Sequence, residues 1–320
     1  MVKRTVYLTQ RVLFRALSGS SALKLELIEC WRWPGISAKQ NPKLARGLTH
    51  EMIWMNRLGH KTRKLTRKDG MRNLKLILSY DGSDFAGWQV QPDAVTVQGT
   101  LASAIGRITG ENVLPQGSGR TDAGVHALAQ VATFVTKSSV PPANFVKALN
   151  DILPASVRVL EVEEAAPDFH ARKSARGKTY RYRIYRAGIC PPFLARYVWH
   201  YPYPLDEEAM AQAAGVVEGE HDFTSFAAVD PERGREGAEV SNVRHIFSSS
   251  WERQGDEFIY TVKGSGFLHH MVRNLVGTFI LVGKVTLKTD DVTRILEARN
   301  RSAAGATAPA SGLYLVNVEY

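Results

Sequence analysis

The residues best suited to chemistry lie in one loop, Gly117-Ser118-Gly119-Arg120-Thr121-Asp122-Ala123-Gly124-Val125-His126-Ala127. Its glycines let the backbone reach positive φ and approach a ligand closely, as a reacting group held on a loop between strands requires. Asp122 offers a carboxylate for nucleophilic or charge-stabilising work, and Arg120 a cation beside it. The same residue types also fit an Asx turn, with Asp122 bonded to its own backbone and Arg120 as a solvated charge. Three adjacent polar groups followed by the apolar run Val131 to Val135 suit a site better than a tight hairpin. A phosphate cradle fits poorly, since the Gly-Lys-Ser/Thr ending is missing and a carboxylate stands where phosphates would sit.

Two further stretches carry reactive side chains. Residues 172 to 186 interleave Arg172, Lys173, Arg176, Lys178, Arg181, Arg183 and Arg186 with Tyr180, Tyr182 and Tyr185, a local cationic surface. On a strand Tyr180, Tyr182 and Ile184 share one face. Tyr182 reads as core, whereas Tyr180 beside Lys178 is placed for base stacking. The second stretch follows Gly266, where the periodicity predicts a helix from Leu268 to Val282 with Met271, Val272, Leu275, Phe279 and Val282 on its buried side. His269 and His270 read as structural, since neighbours in a helix point apart and no carboxylate or cysteine has ligand spacing; no metal is expected. Arg273, near the helix's amino end, can reach across a cleft to a carboxylate.

The elements that must position these groups are legible from pattern. Leu74 to Tyr80 alternates as a strand ending at Asp81-Gly82. Thr96 caps a helix through Ile108 that Gly110 stops, Val113 to Gln116 is extended, and Ala127 to Val135 is a strand. Pro141-Pro142 opens a helix through Ile152, and Val157 to Val162 is the next strand. This β-α-β-β-α-β order is a ferredoxin-like unit. Thr179 to Tyr185, a helix over 206 to 217, a hairpin of 242–253 with 257–264, helices over 268–282 and 289–298, and the strand Leu313 to Glu319 repeat it loosely. The expected fold is therefore α+β: two tandem ferredoxin-like units forming a continuous mixed sheet, with helices packed on it and a central cleft. The halves are 71–170, carrying the Asp122 loop, and 171–320.

Gly119 to Ala127 resembles the active-site motif of the tRNA pseudouridine synthase A (TruA) family. Tyr80-Asp81-Gly82 with Phe85 to Trp88, Phe169 to Arg172, Lys178 to Tyr182, Asp222 to Phe226, Phe267 to Asn274 and Thr307 to Val316 follow in the family's order, so the resemblance spans residues 71 to 320. It implies an isomerase that detaches uracil at N1, turns it and rejoins it to ribose through C5, at tRNA positions 38, 39 and 40 of the anticodon stem-loop. It implies no cofactor. Asp122 is then the nucleophile, Arg273 its ion-pair partner, and Arg120 the residue that enters the RNA helix as the base is flipped. Tyr180 stacks on that base and takes part in removing the C5 proton, while Leu313 packs against it. Arg172, Lys173, Arg176 and Lys178 are the expected RNA surface, and residues 227 to 240 a flexible loop against RNA. Family members are homodimers, and a cytoplasmic location is implied.

Composition sets the outer bounds. The 320 residues are 44% hydrophobic, as in globular proteins, with no apolar stretch long enough to span a bilayer. Cys30 and Cys190 show no metal-ligand spacing and make no disulfide framework. The formal charge of +10 misleads, because residues 1–70 hold 15 of the 41 basic and 4 of the 31 acidic residues, leaving the rest nearly neutral. That basic extension lacks periodic apolar context, and patterning begins at Met71, the expected initiator. A transit segment and a basic RNA-holding tail are the ranked alternatives. Two other classes compete with the enzyme. A non-catalytic RNA-binding protein built on RRM-like units lacks the RNP1 pattern and has no use for an Arg-Thr-Asp loop. A nucleotide hydrolase lacks a phosphate-gripping lysine and metal ligands.

Overall fold

In a computed structural model of the protein, residues 70–229 and 241–320 are described. The basic extension, Gly70 apart, and most of the loop read as an RNA contact therefore lie outside the described residues.

The first half runs β1 (Arg72–Tyr80), α1 (Val97–Thr109), β2 (Gln116–Gly117), β3 (His126–Thr136), α2 (Pro142–Ile152) and β4 (Val157–Ala165). Leu74, Leu76, Leu78 and Tyr80 are buried on one face of β1, as their spacing requires. Thr96 accepts a bond from the Gly99 amide to cap α1, and Gly110 ends it in the left-handed region, φ 73°. The second half contains β5 (Gly177–Tyr185), β6 (Trp199–His200), α3 (Glu207–Gly215), β7 (Gly219–Asp222), β8 (Val243–Gln254), β9 (Glu257–Gly264), α4 (Met271–Gly283), α5 (Thr289–Ala298) and β10 (Leu313–Glu319).

All ten strands join one mixed sheet in the order β4-β1-β3-β10-β5-β9-β8-β7, with β2 on β3 and β6 on β5. Within each half this is the ferredoxin-like order: β4-β1-β3-β2, and β10-β5-β9-β8. Because β2 is only two residues long, it leaves the start of β3 open, and β10 pairs there in parallel, Tyr314 with His126 and Leu315 with Ala127. That seam joins the halves, and one hydrophobic core runs beneath both. The loops entering β3 and β10 emerge at the same end of it, so Asp122 and Leu313 become neighbours.

Three expectations change. The helix predicted from Leu268 begins at Met271, because His270 adopts φ 59°, a left-handed conformation incompatible with a continuing helix. The short edge strands β6 and β7 carry too few residues to show a period. The cationic surface is narrower than its sequence suggests: Glu257 holds Arg183 through two bonds, 2.6 and 2.5 Å, and Glu207 holds Arg186 at 3.2 Å.

Candidate active site

The loop between β2 and β3 is fixed at its backbone. The Tyr80 hydroxyl lies 2.8 Å from Thr121 Oγ1, and the Trp88 amide donates to the Thr121 carbonyl at 3.0 Å. Gly124, at φ 77°, permits the tight turn in which the Val125 amide donates to the Asp122 carbonyl at 3.1 Å. Just beyond, the Gly82 amide donates to His126 Nδ1 at 3.1 Å, while His126 Nε2 faces the Arg196 carbonyl at 3.2 Å. Nδ1 thus accepts, which makes the ring neutral. Burial lowers the His126 pKa and outweighs the raising pull of Asp81, whose Oδ1 is 3.2 Å from Nδ1. The ring also stacks on Tyr314 of β10, centroids 4.8 Å apart, tying the loop's exit to the seam.

Held this way, the Asp122 side chain faces a cavity of about 260 Å³ whose lining includes Arg120, Tyr180, Phe267, His270 and Leu313. Arg273 Nη1 donates to Asp122 Oδ2 at 2.9 Å. The same guanidinium donates through Nε to the Ala308 carbonyl at 2.7 Å, and the Ala308 amide returns a bond to the Arg273 carbonyl at 3.1 Å. The two side chains keep only 14% and 18% of their exposure. The pair is thus outside the class of exposed ion pairs worth ~0–1 kcal/mol, and loss of one partner would leave a poorly hydrated charge.

Helix α4 owes its position to a close approach. A Cβ on Gly277 would fall 1.7 Å from the Ala306 carbonyl oxygen, so only glycine admits the 304–308 segment here. Asn274, fully buried, accepts from Arg301 at 3.0 Å and Thr307 at 2.7 Å, and donates to the Phe226 carbonyl at 2.7 Å. These bonds fix the helix turn from which Arg273 projects.

The histidines depart from the sequence reading. They do not point apart: their rings lie 4.0 Å apart and both face Asp122, His269 Nε2 at 3.7 Å from Oδ1 and His270 Nε2 at 3.4 Å from Oδ2. Both precede the helix, so helical spacing does not apply, and their carboxylate partner comes from the other half of the chain. Burial lowers the His270 pKa against the raising influence of Asp122. Among the described residues these three offer metal-ligand atoms within 4.8 Å of one another. A cation there would meet the Arg273 guanidinium on one of the same oxygens, which opposes metal binding electrostatically.

Tyr180 is buried on β5, edge-on to Phe267 with centroids 4.9 Å apart. Burial first, then Tyr80 and Asp122, raise its phenol pKa above the ordinary tyrosine range. Tyr182 is core, its hydroxyl donating to the Pro309 carbonyl at 2.7 Å. Arg120 is exposed at the cavity's edge, and Leu313 is buried. Of the four cations assigned to a surface, Arg172, Lys173 and Arg176 are exposed. Lys178 is half-buried instead, its Nζ donating to the Ser118 carbonyl at 2.7 Å beneath the loop. The sequence assigns no role to Phe267, Arg244 or His126; Phe267 and His126 lie inside motif stretches, but their partners come from distant elements.

A family model described as tRNA pseudouridine synthase matches residues 76–172 and 213–320. The chain is 50% identical over 250 residues to tRNA pseudouridine synthase A of Solibacter usitatus, spanning 78% of this chain and 100% of that protein. It is 48% identical to tRNA pseudouridine synthase A of Moorella thermoacetica, over 77% of this chain and 99% of the relative. The Acetivibrio thermocellus protein of the same name is 44% identical, over 78% and 100%.

Proposed function

The chain belongs to the tRNA pseudouridine synthase family, and on that premise we propose that it isomerises uridine to pseudouridine in the anticodon stem-loop of tRNAs, at positions 38, 39 and 40. The observation that carries this reading is the Asp122 carboxylate, paired with Arg273 at 2.9 Å and facing a cavity it shares with Tyr180 and Leu313. Asp122 is the nucleophile whose oxygen engages the substrate while the uracil–ribose bond at N1 is broken and remade at C5. Arg273 holds that oxygen in place and balances its charge.

Arg120, exposed at the cavity's edge, enters the RNA helix as the uridine swings out, offsetting an unstacking cost of a few kcal/mol. Tyr180 and Leu313 flank the flipped base. With its pKa raised, the phenol stays protonated at neutral pH, which suits stacking and hydrogen donation better than service as a base. The exposed Arg172, Lys173 and Arg176 extend the contact along the backbone, where recognition is by tRNA shape and phosphates. Residues 71–170 form the half that carries the nucleophile, and residues 171–320 the half that supplies its guanidinium. The working state is a homodimer in the cytoplasm; no described helix is long and apolar enough to cross a membrane.

Asp122→Asn tests the assignment. Incubated with an anticodon stem-loop RNA, the variant should form no pseudouridine by nucleoside mass spectrometry while its RNA affinity stays near that of the unsubstituted protein. Undiminished product would overturn it.

A further inference from the structure

The cavity is lined by two chemically different groups of side chains. Its lining holds Asp122, which Arg273 pairs from behind, with His269 and His270, and it also holds the cations Lys178, Arg172 and Arg244. These three cations come from separate elements: the start of β5, the segment before it, and β8. Arg244 lies against the glycine turn before α4, its Nε 3.7 Å from where a Gly266 Cβ would stand.

Lys178 is the informative member. Its ammonium donates to the Ser118 carbonyl, and Gly119 passes so close above that a Cβ there would stand 2.9 Å from Nζ. The group is therefore held at the base of the loop that bears Asp122. Among the described residues no carboxylate pairs with it. Glu319, on the neighbouring strand, is bound instead to Lys263 at 2.7 Å. Further along, Arg183 on β5 and Arg186 just past its end each have a glutamate. Burial, with the repulsion of Arg172 and Arg244, pulls the Lys178 pKa down to about 8. A desolvated ammonium repelled by two guanidiniums gains from any ligand that brings negative charge. Such a ligand shares the cavity with Asp122, whose charge Arg273 balances at 2.9 Å.

We propose that Lys178, Arg172 and Arg244 form a phosphodiester subsite that grips a backbone phosphate adjoining the target nucleotide while the nucleoside itself faces Asp122. The inference rests on the reading of the chain as a tRNA-modifying enzyme and deepens it. Lys178 then acts inside the cavity, on the nucleotide undergoing reaction, instead of on the general RNA surface with Lys173 and Arg176. The cavity, about 260 Å³, lies just below the ~300–1,000 Å³ usual for ligand sites, so it suits a single nucleoside with its phosphate at the margin. A phosphate fixed there sets the register of the flipped nucleotide, so the subsite acts through positioning.

The test uses the full chain and anticodon stem-loop RNAs with a single target uridine. Either the 5′ or the 3′ phosphodiester of that uridine is replaced by a neutral methylphosphonate, and single-turnover pseudouridine formation is measured with the unsubstituted protein and with Lys178→Met. One of the two replacements should lower kcat/KM roughly 10- to 100-fold for the unsubstituted protein, the effect of losing a charged hydrogen bond. The same replacement should cost Lys178→Met nothing further, because the contact is already gone. Insensitivity of the unsubstituted protein to both replacements, or losses that multiply in the variant, would overturn the subsite. Arg172→Gln, at an exposed position, supplies the same comparison if Lys178→Met does not fold. Failure of the unsubstituted protein to convert the all-phosphate RNA is a different result, and refutes the function itself.

Discussion

Asp122 Oδ2 and Arg273 Nη1, on residues 151 positions apart, meet at 2.9 Å across the join between the two halves of the sheet. Neither half alone holds both members. The parallel β3–β10 pairing delivers the loop, and the close packing of α4 on the 304–308 segment delivers the guanidinium. The joint sheet is thus a requirement of the site.

Arg273→Met should reduce single-turnover pseudouridine formation roughly 10- to 100-fold, corresponding to ~1.5–3 kcal/mol for a charged hydrogen bond. Arg273→Lys should fall between, since a lysine keeps the charge but cannot bridge Asp122 and the Ala308 carbonyl together. A methionine variant as fast as the unsubstituted protein would show that the pair serves folding alone.

His126 predicts a pH dependence of stability. Its pKa is lowered in the folded chain, chiefly by burial, whereas the unfolded imidazole titrates near ~6.5. The folded state therefore binds fewer protons, so the stabilisation is fully present above about pH 6.5 and is lost as pH falls through the folded value. His270, lowered likewise, acts in the same sense. Melting temperatures measured between about pH 8 and 5 should fall with pH, and less steeply for His126→Gln, which starts lower because the Tyr314 stack is lost. An equally steep decline in the variant would rule out this role.

Much of this was legible in the sequence. Thr96 and Gly110 delimit α1 because caps are local chemistry, and Leu313 to Glu319 stands as β10 because it is a short apolar run, although a register shift between Leu315 and Asn317 breaks its alternation. The Asp122 loop was legible through its motif. What failed was phase and distance. The period of α4 was carried back across His270, whose left-handed backbone turns both imidazoles toward Asp122. Lys178 reads as a surface residue because its neighbours in sequence are basic, and nothing local encodes that residues 118–119 fold over it. The two-residue β2, whose shortness admits β10, has no period to detect.

Gly277→Ala tests the fit beneath the site. The added methyl meets a backbone oxygen that cannot rotate away, so the variant should lose at least ~1–3 kcal/mol of stability, the range for overpacking. Urea denaturation reads this directly. Gly215→Ala, at the end of α3 with nothing near its Cβ position, should be neutral or stabilising by up to ~1 kcal/mol. Equal effects at the two glycines would mean that the approach of α4 to residues 304–308 is looser than described.

Tyr180 separates two contributions to the reaction. Its ring is held by Phe267 and lines the cavity, so Tyr180→Phe keeps the stacking surface and loses only the hydroxyl. RNA affinity should be unchanged, and the rate should fall if the phenol hydrogen-bonds to the rearranging base, by roughly tenfold for one hydrogen bond of ~0.5–1.5 kcal/mol at the upper end. Tyr180→Ala should lose affinity as well, since base–aromatic stacking contributes ~1–3 kcal/mol. Because burial and the neighbouring negative charge raise the phenol pKa, no phenolate forms as pH rises from about 7 to 9, and Tyr180 should add no rising limb to the rate profile over that interval. A limb that appears in the unsubstituted enzyme and vanishes in Tyr180→Phe would instead identify the phenolate as the base that removes the C5 proton.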